Sequence, residues 1–232
     1  MDELLSKVQI QVNEKIYLKN PESSDLGKRI ITGSIEMIDE IGFECFTFRK
    51  LGQRIKSTEA SIYRYFESKH KLLLYLTAWY WGWMEYRLVF SLANIDSPVE
   101  RLSRAITLLT EKVEEDSSFT HINEKKLFRI VIAESSKAYL TKDVDQENKE
   151  GVFIGYKQLV SRVSSIIKEI TPGYKYPNML VSTIIEGAHN QRFFAEHLPR
   201  LTDIIEGEDS ISCFYKNLVL NAIGAGLNDS NH

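Results

Sequence analysis

Three good helix-capping residues, Thr47, Thr58 and Ser68, follow one another at intervals of about ten residues in this 232-residue chain. Each offers a side-chain oxygen to the unpaired amides of a first helical turn. Behind Thr47, the residues Phe48, Leu51 and Ile55 make the inward face of a short helix. Behind Thr58, Ile62 and Phe66 point inward together. Behind Ser68, the residues Leu72, Leu73, Leu76, Trp79, Tyr80 and Trp83 line a longer helix. An earlier helix is predicted over 25–41, with Ile31, Ile35 and Ile38 in one row, Ile30, Met37 and Ile41 beside it, and Gly42 as its stop. A helix, two short helices across a tight turn, and then a long helix make a helix-turn-helix layout.

Apolar periodicity stays helical beyond Pro98. Segments are predicted over 98–115, 122–140, 150–171, 177–198 and 208–225, broken by DSSFTHINE, TKDVDQENKEG, TPGYKYP and LPRLTDIIEGEDS. Residues 1–20 read either way. Val8, Ile10 and Val12 alternate as in a strand, while Leu4, Leu5 and Val8 suit a helix. There is no internal repeat, and the fold class is all-α. Three regions follow: an N-terminal arm (1–23), a helix-turn-helix domain (24–71) and a larger helical domain (72–232).

The charge is uneven. Within 45–71, Arg49, Lys50, Arg54, Lys56, Arg64, Lys69 and Lys71 stand against Glu59 and Glu67, a net +5, which leaves the remaining chain at −8 of an overall −3. A basic island in an acidic protein points to a local anionic partner.

Other classes find little support. Cys45 and Cys213 have no metal or redox spacing, and the five histidines lack partners at catalytic spacing. No GxSxG, glycine-rich phosphate loop or HExxH is present. Neither enzymatic activity, a metal nor a cofactor is therefore expected. The opening MDELLSKVQI has no basic region leading into an apolar one. LLLYLTAWYWGWM is too short to span a bilayer. A cytoplasmic protein without membrane contact is expected.

The run TFRKLGQRIKSTEASIYRYFESKHKLL resembles the DNA-binding domain of the tetracycline-repressor (TetR/AcrR) transcription regulators, over about 26–76. YRYF-x-SK-x-x-LL is its most specific part. In the turn where that family has Gly-Val, this chain has Lys56-Ser57, and lysine adopts a left-handed conformation only at a steric cost.

Chemistry and resemblance agree on a DNA-contact set. Thr58, Glu59, Ala60 and Ser61 are small or polar enough at the start of a recognition helix to approach base edges. Tyr63, Arg64 and Tyr65 are expected at the phosphate backbone, as are Lys69 in the next first turn and Thr47 at the start of the preceding helix. Arg49 reaches a phosphate or a guanine edge. Glu59 either accepts from cytosine N4 or favours the helix dipole.

The resemblance further implies a homodimer through the last two long helices, where Ile184, Ile185, Ala188, Phe194, Ile211, Phe214, Leu218, Ala222 and Ala225 supply apolar faces for the partner or for the protomer's own core. It also implies a small-molecule effector. Trp79, Trp83, Phe128, Tyr156 and Phe193 suit either an apolar or aromatic ligand or a plain aromatic core. Glu186, His189, Asn190 and Arg192 are the most polar stretch of an otherwise apolar helix. Glu186 and His189, at i and i+3, suit a metal or an effector, or else a hydrogen-bonded core pair or a polar dimer seam. The expectation is a dimeric repressor released from operator DNA by an effector. The alternatives are a DNA-binding protein controlled without an effector, and a helical small-molecule carrier or scaffold that has lost operator binding.

Overall fold

A computed structural model describes residues 10–114 and 121–224. Ten α-helices and no strand occur among the described residues: α1 (Asp25–Cys45), α2 (Phe48–Arg54), α3 (Glu59–Tyr63), α4 (Lys69–Leu92), α5 (Pro98–Thr110), α6 (Glu124–Tyr139), α7 (Val144–Lys149), α8 (Ile154–Ile170), α9 (Pro177–His197) and α10 (Ser210–Ala222). None of them is long and apolar enough to cross a membrane. The chain forms two compact units, Met1–Trp83 with Val113–Gly155, and Met84–Lys112 with Tyr156–His232.

In the first unit α1 starts at Ser24, whose side chain accepts from the Gly27 amide. Ile30, Ile31, Ile35 and Ile38 are buried along its length. Gly42 breaks the helical path with φ 76° and ψ 157°, a region open to glycine alone, and one further turn runs on to Cys45. The glycine therefore redirects this helix rather than closing it. Helix α6 packs on α1, and Arg129 grips Asp39 through two bonds of 2.7 and 2.6 Å.

Helix α7 lies in the stretch expected as a break. Its sequence is polar and Asp143 makes no capping bond, so local signals are weak. Tertiary contacts set it instead: Glu147 is buried, 2.9 Å from His70 Nε2 and 3.5 Å from Lys71 Nζ. Of the ambiguous first twenty residues, Leu4, Leu5 and Val8 lie outside the described residues. From Ile10 the chain is irregular, with single 3-10 turns at Glu14–Ile16 and Pro21–Ser23, and Ile10 and Ile16 are buried.

The second unit is tied by Arg192 of α9. Its guanidinium donates to the Thr110 carbonyl at the end of α5 (2.9 Å) and to the Asp209 carboxylate that caps α10 (2.7 and 2.6 Å). Ile184, Ile185 and Ala188, expected at a dimer face, are fully buried in the protomer's own core, and Ile211 is nearly so. Ala225 lies outside the described residues.

Candidate nucleic-acid interface

Phe48, Leu51, Ile62 and Phe66 are buried, and they hold α2 and α3 against each other. The predicted caps form. Thr47 accepts from the Lys50 amide and Thr58 from the Ser61 amide, both at 3.2 Å, and the Thr58 and Ser61 hydroxyls are 2.7 Å apart. Ser68 accepts from the Lys71 amide at 3.2 Å.

Between α2 and α3 the Ser57 amide bonds to the Gly52 carbonyl at 2.8 Å and the Lys56 amide to the Gln53 carbonyl at 3.4 Å. This is the paired closure of a helix C-terminus that ordinarily has glycine at the left-handed position. Here Lys56 takes it, at φ 52°. The turn is also tight, since a Cβ on Gly52 would come within 2.9 Å of the Ser57 carbonyl oxygen.

Thr47, Arg49, Thr58, Glu59, Ala60, Tyr63 and Arg64 are all exposed, and Ser61 is half-buried. Tyr63 packs edge-on against Phe48, centroids 5.0 Å apart, and stays 47% exposed. Two expected contacts are placed otherwise. Tyr65 is buried at 3% exposure, its hydroxyl 2.8 Å from Ser24 Oγ, so it does not accompany Tyr63 on the outer surface. The helical period carries the reason: Tyr65 stands three residues after the inward Ile62 and shares its face. Lys69 turns its ammonium to the carbonyls of Phe43 (3.1 Å) and Glu44 (3.4 Å), 4.7 Å from the Phe43 ring.

The basic island thins on the same accounting. Arg54 forms a two-bond pair with Glu40 at 2.6 Å, Lys71 faces Glu147, and Lys50 donates to the Cys45 carbonyl at 2.8 Å. The side chains of Arg49, Lys56 and Arg64 are exposed and make no hydrogen bond or ion pair with another described residue. Sequence reading missed Lys19. Its ammonium lies 5.1 Å from the Tyr65 ring centroid, and the neighbouring Leu18 amide donates to the Tyr65 carbonyl at 2.8 Å. No local pattern in residues 10–20 signals that contact.

The expected effector residues are divided between the units. Trp79, Trp83 and Phe128 are buried core of the first, with the two indoles stacked at 6.4 Å. In the second unit the Tyr156 hydroxyl donates to Glu186 Oε1 at 3.0 Å. His189 is buried, which pushes its pKa down to about 4. Asn190 is exposed, and Phe193 is 38% exposed with its ring 4.5 Å from that of His197. A groove of about 650 Å³ in this unit involves other residues, among them Glu85, Val89, Arg101, Arg162, Ile166 and Glu169.

Residues 30–76 match the sequence profile of the bacterial regulatory proteins of the tetR family. No curated protein matches the chain. Among solved structures, the superantigen PfiT superposes with a TM-score of 0.56 at 17% identity, over 88% of this chain and 97% of that one. The protein AibR, crystallised in complex with isovaleryl coenzyme A and operator DNA, superposes with a TM-score of 0.51 at 16% identity, over 83% of this chain and 95% of that one. At such identities these likenesses concern the fold.

Proposed function

We propose that this chain, whose residues 30–76 are an N-terminal domain of the tetR family of bacterial regulatory proteins, acts as a homodimeric repressor. The helix-turn-helix region 24–71 reads operator DNA, and the remaining helices hold an effector and the partner copy. One observation carries the reading: Thr47, Arg49, Thr58, Glu59, Ala60, Tyr63 and Arg64, on α2, α3 and their ends, are all exposed, and the two arginine side chains are unpaired among the described residues. Thr58 and Ala60 are small enough for base edges, while Arg64, Arg49 and the Tyr63 hydroxyl suit phosphates. One such module offers little contact area, so two copies on paired half-sites are required for tight binding.

An effector would act through differential affinity for two arrangements of the paired recognition helices. Support comes from AibR, a chain of similar fold crystallised with both an acyl-coenzyme A and operator DNA. In this chain, Tyr156, Glu186, His189, Asn190 and Phe193 are the effector candidates of the second unit. A thermal shift with a ligand library separates effector control from control by other means.

The test is fluorescence anisotropy against DNA from upstream of its own gene, at two salt concentrations, for wild type and Tyr63→Phe/Arg64→Ala. Saturable, sequence-selective binding that falls with salt and weakens in the variant is expected. Binding indifferent to sequence and to the substitutions, with a failed selection from random DNA, would leave the carrier reading in place.

A further inference from the structure

Lys56 is one of two non-glycine residues with positive φ among the described residues; the other is Asn94, of a type that tolerates that conformation. Nothing relaxes the lysine. The Ser57–Gly52 and Lys56–Gln53 bonds close the turn, and Gly52 lies so near the Ser57 carbonyl that even one carbon would not fit between them. A glycine at position 56 would satisfy the same two bonds without strain, because both use the backbone alone. Whatever distinguishes lysine here must therefore lie in its side chain.

That side chain is exposed and makes no hydrogen bond or ion pair with another described residue. It precedes Thr58, the cap of α3, by two residues. It is also one of only three cations of the basic island, with Arg49 and Arg64, that are left without a partner among the described residues. Strained backbone held fixed beside a working surface is a recognised mark of function.

We infer that Lys56 is a DNA-phosphate contact in the turn itself, added at the expense of fold stability. The inference rests on the DNA-binding reading above. A flexible ammonium at this position contributes charge to a phosphate without reading a base, so its effect is uniform across operator sequences and screened by salt.

The experiment compares wild type with Lys56→Gly, Lys56→Gln and Lys56→Arg, on upstream DNA or on sequences selected from a random pool. Thermal unfolding and affinity at four salt concentrations are measured on the same samples. Lys56→Gly should raise Tm by a few degrees, since the left-handed strain is removed. It should bind DNA more weakly, with the slope of log K against log salt shallower by about 0.9 for each Lys56 engaged. Lys56→Gln keeps the strained backbone, so it should lose the same slope with no gain in Tm. Lys56→Arg should keep the slope.

Equal affinity and slope in wild type and Lys56→Gly would overturn the inference while leaving the DNA-binding reading intact. A loss confined to one base pair of the site would also overturn it, because that is base readout. A wild-type chain that binds no DNA from the selection would overturn both.

Discussion

Tyr63 and Tyr65 stand two residues apart and face opposite environments. Tyr63 lies beyond Ile62 on the outer side of α3 and rests its ring on Phe48. Tyr65 shares the inward face, and its hydroxyl closes on Ser24 at the start of α1. The matched removals Tyr63→Phe and Tyr65→Phe therefore separate recognition from folding. Tyr65→Phe should cost about 1 kcal/mol of stability by urea denaturation and leave DNA affinity near wild type. Tyr63→Phe should leave stability unchanged and weaken operator binding. If both variants lost affinity without losing stability, the inward placement of Tyr65 would be wrong.

His189 carries a second prediction at this scale. Burial holds it neutral, with a pKa of about 4 against about 6.5 in the unfolded chain. The unfolded chain binds the extra proton first, so this contribution to stability is complete above about pH 6.5 and is lost as pH falls toward 4. The slope is about 1.4 kcal/mol per pH unit. Between pH 7 and pH 5 wild type should lose roughly 2 kcal/mol more than His189→Gln, as read from urea midpoints. Parallel losses in the two proteins would place the pH dependence elsewhere.

At the scale of elements, legibility follows how local the determining forces are. The caps at Thr47, Thr58 and Ser68 were readable because each closes a hydrogen bond within three residues of its own position. The stripe of α1 was readable because Ile31, Ile35 and Ile38 repeat at helical spacing. Gly42 was readable as a discontinuity, but the extra turn to Cys45 was not; that turn is accompanied by the long-range bond from the Phe43 amide to Glu134. Helix α7 has weak local signals, and in the segment 10–23 local caps at Asn13 and Asn20 account only for its two short turns. They are set by partners far along the chain: Glu147 with His70, Asn13 with the Glu150 carbonyl (2.8 Å), and Leu18 with Tyr65. The same limit explains Lys69. Its sequence position suits a phosphate, yet the Phe43 and Glu44 carbonyls take up its ammonium.

On the proposed reading the whole molecule brings two recognition helices to one operator, and the apolar surface of the second unit suggests how. Phe214 and Leu218, one helical turn apart on α10, remain 58% and 41% exposed. Leu201 and Ile205 line the same cavity as Phe214, and both are more than half exposed. With Ile184, Ile185 and Ala188 committed to the protomer's own core, this outer strip is an apolar face available to a second copy. An exposed apolar patch of this kind marks an interaction surface. Two-fold pairing would set this strip on one copy against the same strip on the other. The double substitution Phe214→Glu/Leu218→Glu places like charges there without touching the buried side of α10. It should convert a dimer into a monomer by light scattering, with far-ultraviolet circular dichroism unchanged. Operator affinity should drop by at least about 100-fold, because each monomer then holds a single half-site and loses the joint binding of two. A double variant that stays dimeric and binds as before would put the partner surface on another face. A monomeric variant with undiminished affinity would show instead that the operator is read one copy at a time.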